Sequence, residues 1–349
     1  MPRVLGVDPG TVSIDLCGLD DGRLVLDRSW PTDEALADPQ AFLAGLVAAG
    51  PVDLIAGPSG YGLPLVRADA TRDDDLRLAF LAAPGETGGI GGLRRLASVL
   101  GQSGLPVVYT PGVIHLDTVP DHRKLNRVDL GTADKVATAA LGIAEQAGRL
   151  GCPAAETSFI LLELGGAFSA VVAVDQGQIV DGIGGSSGPI GWRASGALDG
   201  EVAYLAGEVT KAMLFRGGAG FIAEEGDARR DTAVEAFVEG AMKAVHGLLV
   251  SVPAPREIML SGRALAEPGV GSRLERGLGS IAPVSRLEGF ARIAKGAAQG
   301  AAILADGLAG GAFRPLVDRM RLREASGTVL DHLVVITPAA ARRRLGIAP

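Results

Sequence analysis

Two short stretches place a carboxylate directly before a glycine turn. In the first, Asp8 is followed by Pro9-Gly10-Thr11, with Ser13 just beyond; in the second, Glu163 is followed by Leu164-Gly165-Gly166. Glycine carries no Cβ, so its backbone N–H groups can approach an anion closely. The hydroxyls of Thr11 and Ser13 are further donors. A carboxylate at such a corner suits a hard cation such as Mg²⁺, bound directly or through water. Donors around phosphate oxygens, a metal and nearby positive charge are what phosphoryl transfer requires. Asp8 is the candidate for orienting the metal, although Asp before Pro-Gly is also a common turn former. Glu163 could hold a second metal water, act on a substrate proton, or be a strand-end acid met by backbone donors.

Both stretches need the same elements around them. Apolar runs at 4–7 and 159–162 predict strands that end at the two acids, and strands over 13–19 and 168–174 return. Each return meets a turn, Asp20-Asp21-Gly22 or Asp175-Gln176-Gly177, and then a third strand, over 23–30 or 178–184. Positions 8 and 163 are 155 apart, and so are 22 and 177. Two landmarks with one offset point to an internal duplication. Downstream, the pattern predicts a helix over 31–50 capped by Thr32, a strand over 52–56 ending in the loop 57–62, a helix over 91–104 and a strand over 106–110. A long helix over 129–150 then links the halves. The second half repeats the order, with helices over 200–215 and 231–249, strands over 257–260 and 281–285, and a small-residue helix over 289–307. The tail adds a strand over 333–336 and a basic end, Arg342-Arg343-Arg344, read as solvated. Each half is therefore β-β-β-α-β-α-β-α, opening with three antiparallel strands, which is not a Rossmann pattern. The Gly-rich run 85–92 lacks the G-x-G-x-x-G spacing and does not follow a clear strand, so it does not read as a dinucleotide site.

Composition narrows the function classes. A chain of 349 residues with 47% hydrophobic content supports two cores, and only 4% of it is aromatic, so Ala, Val, Leu and Ile must build them. A formal charge of −7 argues against a general nucleic-acid surface. Cys17 and Cys152 make neither a disulfide framework nor a metal knuckle. No apolar stretch is long enough to span a bilayer and no signal-peptide pattern is present, so a soluble, cytoplasmic protein without membrane partners is expected.

Other residues could serve an acceptor or a nucleotide. Arg123, Lys124, Asn126, Arg127, Asp129, Thr132, Asp134 and Lys135 form a dense polar set leading into the linking helix. Arg forks match carboxylates and phosphates bidentately, so Arg123 and Arg127 suit an anionic acceptor. Asp129, Asp134 and Lys135 could equally decorate an exposed helix face. Ser261-Gly262-Arg263 follows a strand as an adenosine-binding turn would, and as a helix N-terminus would. Tyr61, Leu63 and Trp192 could line an acceptor pocket or belong to the core.

The duplicated halves, each opening with an acid-then-glycine hairpin, resemble the acetate and sugar kinase/Hsp70/actin superfamily. Its two hairpins correspond to Asp8-Pro9-Gly10-Thr11 with Ser13 and to Glu163-Leu164-Gly165-Gly166. Its adenosine loop corresponds to residues 258–263, and its packing helix to residues 295–302. Over residues 161–196 the chain is most similar to butyrate kinases, through Leu164-Gly165-Gly166-Ala167-Phe168-Ser169, Gly177-Gln178-Ile179-Val180-Asp181, Gly188-Pro189 and Gly196; His122-Arg123-Lys124 resembles their Arg-Lys segment. The set labelled predicted butyrate kinases is the one suspected. Two departures stand out: Glu163 replaces the His that opens the second hairpin of acetate and butyrate kinases, and no Gly-Glu pair precedes the last helix.

The resemblance implies duplicated ribonuclease H-like (actin-like ATPase) domains with a nucleotide cleft between them. The halves would be residues 1–152, completed by 311–349, and residues 153–310. It implies ATP and Mg²⁺ as cofactors and a small carboxylate as acceptor, and it allows a homodimer. Gly10, Thr11, Ser13, Gly165, Gly166, Ser261, Gly262 and Arg263 would bind nucleotide. Asp8, Glu163, Arg123 and Asp129 would act in transfer. A hydroxyl kinase, with Asp129, Asp134 or Asp181 as base, and a nucleotide-binding regulatory protein without transfer activity are the alternatives.

Overall fold

The computed structural model describes residues 2–348 apart from Thr11, Ala49, Pro58 and residues 86–89. The chain forms two compact units, one of Met1–Val128, Thr132–Ala155 and Glu288–Pro349, the other of Asp129–Gly131 and Glu156–Leu287. Among the described residues, no helix is long and apolar enough to cross a membrane.

In the first unit β1 (Arg3–Pro9), β2 (Ser13–Asp20) and β3 (Arg23–Pro31) form an antiparallel meander. On its other side β1 pairs in parallel with β4 (Leu54–Gly57), after which come the two-residue β5 (Val66–Arg67) and β6 (Val107–Tyr109). The sheet order is β3-β2-β1-β4-β6-β5. β1 and β2 are buried along most of their length because both faces are covered. One face carries Leu5, Val7, Ile14 and Leu16 into a core with Phe42, Leu46, Leu96, Leu100 and Tyr109. The other lies under the helix Gly296–Leu308, where a Cβ on Gly6 would stand 2.2 Å from the backbone nitrogen of Ala302. That helix touches its neighbour Ala133–Leu150 as closely, a Cβ on Gly300 falling 1.8 Å from the Ala137 carbonyl oxygen.

The second unit repeats the plan. β7 (Phe159–Leu164), β8 (Ser169–Asp175) and β9 (Gln178–Ile183) form the meander, and β10 (Glu257–Ser261) and β11 (Val284–Arg286) continue in parallel beyond β7, giving the order β11-β10-β7-β8-β9. Ile160, Leu162, Val171 and Ala173 meet Phe237, Val245 and Leu274 in its core.

The repeat extends to the hydrogen-bond register. Asp8 pairs with Asp15 and, 155 residues later, Glu163 pairs with Ala170. The β2–β3 ladder slips between Gly18 and Leu19, and the β8–β9 ladder between Ala173 and Val174, again 155 apart. Asp21-Gly22 and Gln176-Gly177 both turn the chain with positive φ, at 51° and 70° and at 50° and 71°. Two successive left-handed residues are the signature of a tight hairpin turn that matches strand twist.

Several expectations need correction. The segment read as one helix over 31–50 is two, Thr32–Ala37 and Pro39–Val47, broken at Asp38, whose carboxylate caps the second. Thr32 does not cap the first: it lies inside it. The segment 333–336 is a bend rather than a strand, with the Val334 and Val335 N–H groups donating to Asn126 Oδ1. The helix expected over 289–307 begins only at Gly296, and residues 288–310, grouped by sequence with the second half, belong to the first unit. Of the glycine-rich run 85–92, residues 86–89 lie outside the described residues.

Candidate functional site

The first hairpin turn is held from three sides. The Gly10 N–H donates to the Ser13 carbonyl at 2.9 Å and to the Asp8 carbonyl at 3.2 Å, closing the turn on itself. The buried Thr32 hydroxyl donates to the Gly10 carbonyl at 2.8 Å, so its role is to fix the turn. Lys295 Nζ donates to Ser13 Oγ at 2.7 Å and lies 2.8 Å from where a Gly10 Cβ would be. A Cβ there would also stand 2.8 Å from the Ser13 carbonyl oxygen, a backbone atom that cannot swing away, so the position favours glycine. Thr11 falls outside the described residues.

Asp8 and Asp15 face each other across this hairpin, 8% and 1% exposed. Like charges directly opposite in an antiparallel pair repel. Asp15 is satisfied by Lys295 Nζ at 3.1 Å, the Lys295 backbone N–H at 3.2 Å and the Ser29 hydroxyl. Asp8 is held differently: burial, then the negative charge of Asp134, push its carboxyl up to about 7, against the pull of Lys295 and Lys135. Asp134 itself is held below the carboxylate range. Burial would raise it, but the Lys135 ammonium at 2.5 Å and the Thr132 hydroxyl outweigh that. The corner thus combines three acids with two lysines, and Asp8 is the acid whose charge is least compensated.

Lys295 is delivered by a loop with an unusual hydrogen-bonding pattern. All eight backbone N–H groups from residue 288 to residue 295 donate to side-chain oxygens of this unit, at 2.6–3.2 Å. Glu145 receives Glu288 and Gly289, and Gln299 receives Phe290 and Ala291. Asp27 receives Arg292, Ile293 and Ala294, and Asp15 receives Lys295. The loop has no backbone ladder of its own, and four side chains supply one.

The second unit has its own glycine corner. Gly165 and Gly166 turn between β7 and β8, and the Glu163 carboxylate oxygens lie 3.7–3.8 Å from where a Gly165 Cβ would be. Ser261 stands opposite Glu163 in the parallel β7–β10 register. Gly262, at φ +104°, lays its backbone on Leu164, where a Cβ would meet the Leu164 carbonyl oxygen at 2.2 Å. Glu163, Gly165, Gly166, Ser261, Gly262 and Arg263 are therefore neighbours. Arg193, which the sequence reading passed over, donates from Nε to the Gly166 carbonyl at 3.0 Å. With Arg263, it makes the rim of this corner cationic.

The remaining candidates make contacts of their own. Asp129 is buried, and its carboxylate accepts from the Gly131 N–H at 3.1 Å and from the Ser186 N–H and hydroxyl at 2.9 and 3.0 Å. Its carbonyl also accepts from Gly184 and Ser187. Those bonds are what an acid anchoring the 184–187 turn would make. Arg123 lies half-buried on the short helix Asp121–Lys124, whose buried lysine donates to the Leu116 carbonyl at 2.9 Å. Leu63 belongs to the first core, and Trp192 packs edge-to-face on Phe237, with centroids 5.4 Å apart, at the edge of the second.

Lys295 and Asp15 were also missed as site residues. An ionisable residue in the apolar strand around Asp15 was the available signal, because an acid is rarely buried without a partner.

The family described as Protein of unknown function (DUF1464) matches residues 6–335, and the chain belongs to it. No curated protein matches the chain. Among solved structures it is similar to a propionate kinase from Francisella tularensis subsp. tularensis SCHU S4, with a TM-score of 0.60 at 14% identity, covering 86% of this chain and 99% of that one. It is similar to acetate kinase from Entamoeba histolytica, with a TM-score of 0.57 at 12% identity, covering 80% and 87%. Porphyromonas gingivalis acetate kinase gives 0.55 at 14% identity, covering 80% and 88%. The fold is the duplicated actin-like ATPase fold that these acetate and propionate kinase structures share.

Proposed function

We propose that this chain is an ATP- and Mg²⁺-dependent phosphotransferase that phosphorylates a small carboxylate to an acyl phosphate. The observation that carries the reading is the first hairpin corner, where a buried, under-compensated acid stands beside a glycine turn overlaid by a lysine. Among the described residues no three His, Cys, Asp or Glu side chains cluster as a metal cage. Mg²⁺ does not need one, since one or two carboxylates, waters and substrate phosphates complete its shell. Asp8 fits that role, because a divalent cation would relieve the burial and the Asp134 repulsion that raise its carboxyl. When bound, the metal would supply charge stabilisation for the transferring phosphoryl group.

In this reading Ser13 presents its hydroxyl to phosphate oxygens at the first corner, where Gly10 keeps the turn free of a side chain. Gly165 and Gly166 present donors at the second, with Arg193 and Arg263 adding charge. The Ser261-Gly262 turn, where the backbone lies bare, takes the adenosine. Glu163 is assigned to a metal-bound water, and Arg123 to the acceptor carboxylate by its fork geometry.

A carboxylate acceptor is favoured over a hydroxyl by the state of the spare acids. A hydroxyl must lose a proton to a base, whereas a carboxylate is already ionised at neutral pH. Asp129 is engaged by Gly131 and Ser186, Asp134 by Lys135 and Thr132, and Asp181 by Ser251 and Gly182. The test is purified protein with ATP, Mg²⁺ and acetate, propionate or butyrate, trapping acyl phosphate with hydroxylamine. Hydroxamate formation above the acceptor-free rate is expected. Tight ATP binding with no hydroxamate and no ADP on any carboxylate or sugar would instead assign the chain a regulatory role.

A further inference from the structure

We infer that Lys295 is a phosphate-binding residue that acts with or without divalent metal, so part of the anion affinity of the first corner is built into the chain. This rests on the nucleotide-binding part of the reading above. Three observations carry it.

The first is position. Lys295 Nζ lies 2.8 Å from where a Gly10 Cβ would stand and bonds Ser13 Oγ at 2.7 Å, so the ammonium sits on the glycine turn beside a hydroxyl donor. With the Ser13 oxygen accepting from the lysine, the hydroxyl proton is free to point at an anion.

The second is exposure. The Lys295 side chain is 39% exposed while its partner Asp15 is 1% exposed. A lysine serving only to neutralise a buried acid would be enclosed with it. Here the ammonium lies between the acid and solvent.

The third is preorganisation. Eight consecutive N–H groups of the loop ending at Lys295 are anchored by Glu145, Gln299, Asp27 and Asp15. A fixed backbone lowers the ordering cost when the terminal ammonium meets a ligand, which is the arrangement binding sites use. The ligand class is the phosphate chain of a nucleotide, because a compact ammonium beside a glycine turn and a hydroxyl matches tetrahedral oxyanions.

The experiment is isothermal titration of the full chain with AMP, ADP and ATP, each in Mg²⁺ and in EDTA. Wild type should bind more tightly with each added phosphate, in both buffers. Lys295→Met should lose about 10-fold or more for ATP in EDTA as well as in Mg²⁺, the size of a charge-assisted bond, and less than about twofold for AMP. Lys295→Arg should recover part of the loss. The double variant Asp15→Asn with Lys295→Met removes the buried acid's need for a partner and must show the same dependence on phosphate number, which separates ligand binding from misfolding. An equal loss on all three nucleotides, no loss, or a loss confined to the Mg²⁺ buffer overturns the inference while leaving the kinase reading intact. Wild type that binds no nucleotide overturns both, and binding without acyl phosphate formation overturns the kinase reading alone.

Discussion

Asp8 and Asp15 stand directly opposite one another on β1 and β2, two buried carboxylates across a single antiparallel pair. Lys295 bonds Asp15 and also pulls on Asp8, which burial and Asp134 push up to about 7. That asymmetry sets the first prediction.

Asp8→Asn should stabilise the fold while abolishing turnover. A carboxyl raised from 3.8 to about 7 favours the folded state below 3.8, and that contribution is lost as pH rises through 7. The gain from Asn should therefore be greatest near pH 8, up to ~4 kcal/mol, and shrink toward pH 4. Urea unfolding at both pH values checks it. Hydroxamate formation should fall by about 100-fold or more. A variant less stable than wild type at pH 8, or one with full activity, contradicts the assignment.

Lys295→Met should cost only about 1 kcal/mol of stability, although Asp15 is 1% exposed. The lysine is well exposed, so its pair is screened, and Asp15 keeps the Ser29 hydroxyl and a backbone N–H. Adding Asp15→Asn should recover most of the loss, because the uncompensated buried charge is then gone. Chemical denaturation of the two variants side by side gives the comparison.

Asp27→Ala should release the loop that carries Lys295. Burial raises the Asp27 carboxyl, but the N–H groups of Ala294, Arg292 and Ile293 outweigh it and hold it below the usual range. Amide exchange at residues 292–294 should accelerate, while the interior of the helix Gly296–Leu308 keeps its protection. The loss is about 1–2 kcal/mol at neutral pH. Because the depressed carboxyl stabilises only while ionised, the gap from wild type should close as pH falls below 3.8.

Gly6→Ala and Gly300→Ala should each destabilise by about 3 kcal/mol or more. Their added methyl groups would sit 2.2 and 1.8 Å from backbone atoms of Ala302 and Ala137, which have no rotamer by which to move away. Gly310→Ala is the control for space alone: it has φ +86° but nothing within 4 Å of its Cβ, and should cost less. Thermal melts of the three rank them.

What the sequence disclosed was the local part. Apolar runs, acids and turn glycines 155 residues apart specify both hairpins, and the structure carries that offset into the ladder slips at Gly18 and Ala173 and the left-handed turns at Gly22 and Gly177. The missed part is long-range. Residues 290–294, apolar or small apart from Arg292, read as the start of a helix. Their N–H groups instead find Asp27 and Gln299, and Asp27 is more than 260 positions away. Asp129 looked like a free acid ahead of a helix because Ser186, its partner, lies 57 residues on. Lys295 is one residue ahead of a packing helix, and nothing local marks Gly10 as its neighbour.

The order in which the two units can fold during translation follows from the way the first unit is assembled. Its sheet is translated within the first 110 residues, but the helix that covers one face of β1 and β2 is not complete until Leu308. The second unit needs only residues up to Leu287. During synthesis the later-coded unit can therefore finish first, while the earlier one waits half-clad, with Gly6 bare, for its lid of small side chains.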